Sequence, residues 1–193
     1  MRTGFYSRET KETQIKVIVN LDTHEPSIIS TGVGFFDHML TAFAFRAGIY
    51  LEVNAKGDLY VDDHHTVEDV GICMGRVLVD ALGDKKGIAR FGSAWIPMDE
   101  ALAHAVMDIS GRGLLIYNAD LPARTVGSFD TELVEEFLRA FAHNAGITLH
   151  VNLAYGSNTH HIIEAMFKAL GCALAQAIKQ TSSSEAPSTK GVL

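Results

Sequence analysis

The chain is poor in everything that marks a membrane protein, a nucleic-acid binder or a disulfide scaffold. Only two of its 193 residues are cysteine. Cys73 and Cys172 stand apart with no C-x-x-C, which points to buried, reduced thiols in a cytoplasmic setting. Basic residues are outnumbered 16 to 23, a net charge of −7, which argues against a nucleic-acid partner. No stretch holds eighteen apolar residues in a row and Met1–Lys11 is polar, so neither a membrane span nor a signal peptide is expected. The glycines mark turns, since no G-x-x-x-x-G-K-[ST] occurs. At 47% hydrophobic, the chain can bury a real core, as a compact enzyme does.

Histidine, by contrast, is concentrated. Four of the nine lie in two copies of H-H-x-x-E, His64-His65-Thr66-Val67-Glu68 and His160-His161-Ile162-Ile163-Glu164. A helix turns about 100° per residue, so Glu68 returns beneath His64 and the two can share a metal ion. His65 points elsewhere and faces a different one. Two such boxes, each offering ligands in two directions, predict a dinuclear site.

The duplication extends beyond the boxes. Residues 38–53 match 136–151 at an offset of 98, and the boxes coincide at 96, carrying Gly75 onto Gly171. The same register places His38 on Glu136, whereas His143 falls on Phe45 and has no counterpart. The expected ligands are therefore His38, His64, His65, Glu68, Glu136, His160, His161 and Glu164. Helix geometry groups His64, Glu68 and Glu136 with a histidine of the second box, and His160, Glu164 and His38 with His65. Five imidazoles and three carboxylates without a thiolate suit manganese, iron or zinc better than magnesium or copper(I). The remaining histidines, His24, His104 and His150, read as turn, strand or surface residues.

Periodicity gives an α+β chain. Strands are expected over Glu12–Leu21, Ile49–Ala55, Asp58–Val61, Ala89–Pro97, Ala101–Ile109, Leu114–Ala119 and Ile147–Leu153. Helices are expected over Gly34–Arg46, His64–Leu82 (capped by Asp63), Asp130–Ala145 and Thr159–Lys179. The halves are 1–88 and 89–180, with a Ser/Pro-rich tail over 181–193. Each box opens a helix, where the positive end of the dipole is expected to keep its histidines neutral.

At Gly34-Phe35-Phe36-Asp37-His38-Met39-Leu40, Asp62-Asp63-His64-His65-Thr66-Val67-Glu68-Asp69, Asn158-Thr159-His160-His161-Ile162-Ile163-Glu164-Ala165 and Ser188-Thr189-Lys190-Gly191 the chain resembles the imidazoleglycerol-phosphate dehydratases of histidine biosynthesis. The resemblance covers nearly the whole chain. It implies a lyase converting imidazole glycerol phosphate to imidazole acetol phosphate, two manganese ions per site, and a 24-subunit homo-oligomer with sites shared between chains. It also implies that each half is a small, mainly antiparallel sheet with two helices on one face.

Such a dehydration removes a carbon-bound proton that no carbonyl acidifies. Metals on both ring nitrogens would hold the substrate as an imidazolate and stabilise a diazafulvene-like intermediate. His65, His161, Glu68 and Glu164 are then catalytic through the metals. Glu12 matches the family's substrate-contacting glutamate, although an exposed glutamate at a strand start is its ordinary reading. Arg90, Arg112, Lys168, Ser188 and Lys190 are implied around the phosphate, the tail closing over it. For Lys168 the plain alternative is an ion pair with Glu164 one turn away. Two departures from the family stand out: Gly113 follows Arg112 where proline is common, and Glu136 replaces a frequent histidine. A dinuclear hydrolase of a phosphorylated small molecule would use the same ligands. A metal-storing shell protein would also use the boxes, but has no need of Arg90, Arg112 and Lys190.

Overall fold

Strand β2 (Thr13–Asn20) alternates buried and exposed residues along its length, with Ile15, Val17 and Val19 turned inward. That period of two marks a sheet with one covered face. A computed structural model describes residues 1–191 and resolves two such sheets. The first joins β1 (Thr3–Glu9), β2, β3 (Ile28–Ser30) and β4 (Tyr50–Gly57) in the order β1-β2-β4-β3. The second joins β5 (Phe91–Met98), β6 (Ala101–Asp108), β7 (Leu114–Asn118) and β10 (Thr148–Tyr155) in the order β5-β6-β10-β7. In each sheet the third strand in chain order pairs parallel and the others antiparallel. A short ribbon, β8 (Thr125–Val126) with β9 (Phe129–Asp130), has no counterpart in the first half.

The four helices are α1 (Gly34–Ala47), α2 (His64–Leu82), α3 (Leu133–Ala145) and α4 (Thr159–Ala177). Helix α2 covers the first sheet and α4 the second, while α1 packs on α4 and α2 on α3. The helices thus form the middle of the molecule and the sheets its outer layers. Phe36, Phe43, Phe137, Phe141 and Phe167 fill the seam between the helix pairs, with less than 2% of each surface exposed except Phe43 and Phe167 at 2%. Burying each such side chain stabilises the fold by roughly 1.5–3 kcal/mol. The outward faces of the sheets keep Phe5, Ile18, Phe91, Trp95, Leu114 and Ile116 exposed. No helix among the described residues is long and apolar enough to cross a membrane.

The start of the chain adds a strand, and two expectations are corrected. The polar start of the chain is strand β1: Gly4 faces inward and the strand is held by pairing with β2, from Thr3↔Asn20 to Glu9↔Gln14. Asp58–Val61 is a turn, closed by the Val61 N–H donating to the Asp58 carbonyl at 2.8 Å. Asp63 makes no side-chain cap to α2; Asp62 accepts the His64 N–H instead, at 2.8 Å. Helix α4 is capped from a side chain, Asn158 accepting from the N–H groups of His160 and His161. The tail runs back along the linker between the halves, Thr181 N–H donating to Gly87 and Gly87 N–H to Glu185. Its last residues, Val192 and Leu193, lie outside the described residues.

Candidate metal centre

Because α1 lies on α4, its second turn meets the first turn of the second box. Ligand atoms of His38, His160 and Glu164 come within 4.8 Å of one another. Glu164 Oε2 lies 3.3 Å from His160 Nε2 and 3.6 Å from His38 Nε2. The position of α1 is fixed by Asp37, which accepts from both the N–H and the hydroxyl of Thr31. Phe35 meets the His160 ring edge-on at 5.1 Å and limits its rotation. Burial raises the Glu164 carboxyl, but the Lys168 ammonium and His38 outweigh it and the net shift is downward. Glu164 is therefore an ionised, largely buried oxygen donor between two imidazoles, a set that suits a divalent transition metal. A buried carboxylate of this kind needs a cationic partner, and Lys168 Nζ at 2.7 Å supplies one.

His64, Glu68 and Glu136 do not form a second cluster of this kind among the described residues. Glu136 instead lies 3.9 Å from Arg139, a residue on its own helix.

The second histidine of each box turns to a carboxylate. His65 Nδ1 is 3.0 Å from Asp58 Oδ2, and its Nε2 is 3.9 Å from Glu12. His161 Nδ1 is 2.7 Å from Glu100 Oε2, and its Nε2 is 3.7 Å from Asp99. These contacts act against the helix dipole. The Asp58 carboxylate raises the His65 pKa and Glu100 raises that of His161. Glu100 is in turn lowered to about 2 by His161 and by the Asn158 N–H. A charge in hydrogen-bond contact outweighs a dipole spread over a helix end.

The cations implied around a phosphate divide between two places. Lys168 joins Glu164 and approaches Met98 at the far end of β5. Arg90, at the near end, is held by Asp108 through two contacts of 2.6 and 3.1 Å and donates to the Pro187 carbonyl. Its backbone is left-handed, φ 74°, a strain the ion pair holds in place. Arg112 lies 3.9 Å from the same Asp108, and Ser188 accepts the Lys190 N–H one residue past Pro187. Seven strand steps separate these ends, roughly 23 Å.

Sequence reasoning missed Asp58, Glu100 and Asp108. A signal existed for Glu100. The hairpin turns preceding β2 and β6 correspond at an offset of 88, which sets Glu100 on Glu12.

Fold and cluster define an internally duplicated α+β protein with a histidine–carboxylate group at the seam of its halves. Residues 31–174 match the family description of imidazoleglycerol-phosphate dehydratase. The chain is 56% identical to the imidazoleglycerol-phosphate dehydratase of Exiguobacterium sp. over 191 residues, covering 99% of this chain and 98% of that protein. It is 54% identical to the Bacillus cereus protein of the same name, over the full length of both. The crystal structure of the Staphylococcus aureus enzyme aligns with a TM-score of 0.85 at 48% identity, covering 93% of this chain and 99% of that one. The Pyrococcus furiosus structure aligns with 0.85 at 38% identity, covering 97% and 100%. The chain belongs to the imidazoleglycerol-phosphate dehydratase family. It is a dehydratase, a lyase of histidine biosynthesis.

Proposed function

We propose that the chain dehydrates D-erythro-imidazole glycerol phosphate to imidazole acetol phosphate at a site holding two manganese ions. The observation that carries the reading is the convergence of His38, His160 and Glu164 in a member of this family. Glu136, His64, His65, Glu68 and His161 complete the proposed ligand set. When bound, the metals supply Lewis acidity and a template for the imidazole ring.

The chain's own residues do the rest. Glu12 lies on an exposed turn beside His65 Nε2, where its carboxylate can take the carbon-bound proton. The departing hydroxyl takes up one proton and leaves as water, a proton made good by the carbon-bound one that Glu12 takes, and the resulting enol tautomerises to the ketone. Arg112, Ser188 and Lys190 bind the phosphate, with Arg90 holding the tail over it.

A homo-oligomer with shared sites is part of the proposal. Strand β5 runs roughly 23 Å between the end near Lys168 and the end near Arg90, longer than a phosphorylated imidazole, which supports sites built from more than one chain. The apolar outward faces of the sheets offer surfaces for such assembly. The test is manganese-reconstituted protein with imidazole glycerol phosphate, followed for the ketone. His160→Ala should lose nearly all turnover, while release of inorganic phosphate in place of the ketone would support a hydrolase instead.

A further inference from the structure

We propose that Glu100 and Asp58 are positioning residues that fix the tautomers of His161 and His65, so that each imidazole presents Nε2 to a metal. The inference rests on the reading that these histidines are ligands. A carboxylate only accepts hydrogen bonds. Facing Nδ1 at 2.7 and 3.0 Å, it requires the ring proton there and leaves the lone pair on Nε2. Nothing else in the surroundings of Asp58 explains its place. Its side chain is 10% exposed, Oδ2 meets His65, and Oδ1 is buried without a partner among the described residues. A carboxylate is costly to bury, and among the described residues the imidazole is the one hydrogen-bond partner of its side chain.

The halves reach this arrangement by different routes. In the second half the orienting group is Glu100, on the turn between β5 and β6. Its Oε1 also accepts the N–H groups of Ser157 and Asn158 and the Ser157 hydroxyl, tying the turn to the start of α4. In the first half the corresponding turn residue is Glu12, yet Glu12 faces Nε2 of its histidine at 3.9 Å. Orientation there falls to Asp58, just after β4, where the second half has Gly156. Asp58 thereby leaves the Glu12 carboxylate uncommitted to Nδ1.

Amide substitution separates orientation from scaffolding. In Glu100→Gln the amide oxygen still accepts from Ser157 and Asn158, while its NH2 donates to Nδ1 and drives the ring proton onto Nε2. Glu100→Ala removes both functions. The assay is Mn2+ affinity of the full-length protein, read from the electron paramagnetic resonance signal of the free ion, beside thermal unfolding of the metal-free forms. Expected is Glu100→Gln above Glu100→Ala in metal-free stability, but no better in manganese affinity, weakened roughly ten- to a hundredfold from wild type. Asp58→Asn should weaken affinity to the same degree. A Gln variant that binds manganese like wild type, or ranks above Ala in both measurements, overturns the proposal. Wild-type protein that takes up no manganese fails earlier, at the metal reading itself.

Discussion

Asp69, next to the last residue of the first box, turns inward and holds two things at once. Its carboxylate accepts from Arg8 Nε at 2.8 Å and from the Thr13 hydroxyl at 2.5 Å. The Thr13 hydroxyl meets that of Thr10, which accepts the N–H groups of Glu12 and Thr13 and so shapes the turn bearing Glu12. Asp69→Ala leaves a buried hydroxyl and a guanidinium unsatisfied, and should cost about 1–3 kcal/mol in urea unfolding. It should also lower kcat, because the Glu12 carboxylate loses its anchor; unchanged kcat would detach the turn from the chemistry. Beside Asp69 lies Cys73, whose thiol burial and the nearby Asp69 charge push up to about 12. At pH 8 it is therefore neutral and enclosed, so iodoacetamide should modify the half-buried Cys172 in the native protein and Cys73 only after unfolding. Mass spectrometry of native and denatured samples distinguishes the two.

Helix contacts decide whether the cluster forms. Gly171 lets α4 approach α1 so closely that an added Cβ would lie 2.4 Å from the Phe43 carbonyl oxygen. Gly75, its partner in the repeat, would meet α3 at 2.7 Å. Gly171→Ala should therefore cost about 1–3 kcal/mol by forcing α1 from α4. It should weaken Mn2+ binding more than Gly75→Ala, because His38 moves away from His160 and Glu164; equal losses would uncouple the cluster from this contact. Much at this scale could be read from the chain. The repeat register picked out His38 by setting it on Glu136, helix geometry grouped it with His160 and Glu164, and the box itself marked the start of α2 at His64. Strand β1 was hidden because its inward positions are Gly4, Tyr6 and Arg8, which give no apolar alternation, and pairing with β2 makes it a strand. Asp58 and Glu100 were hidden for a related reason: each reaches its histidine across a loop, through contacts that no local spacing encodes.

For the whole molecule, the proposed sharing of sites between chains would make assembly part of the chemistry. Mixing inactive His160→Ala with inactive Arg112→Ala, then dissociating and reassembling them together, should restore a fraction of wild-type turnover if sites are shared. Continued inactivity of a verified mixed particle would place each site within one chain. Deleting Pro187–Leu193 removes no proposed metal ligand and, among the described residues, no core residue, but it takes away Ser188, Lys190 and the carbonyl held by Arg90. Metal content should stay constant while kcat/KM falls on the order of ten- to a hundredfold, the equivalent of about 1.5–3 kcal/mol for a charge-assisted contact. Binding of unphosphorylated imidazole should be unaffected, and an equal loss there would refute phosphate recognition by the tail.

The pairing of α1 with α4 and α2 with α3 is the arrangement of a self-complementary dimer whose two copies have been spliced into one chain. In such a dimer every residue is bound to appear twice in the same surroundings, so no carboxylate could differ from its symmetry mate. Splicing removes that obligation. Glu12 and Glu100 occupy matching turns, yet one grips an imidazole Nδ1 and the other does not. A duplicated chain is free to differ between its halves, and here the two turns do.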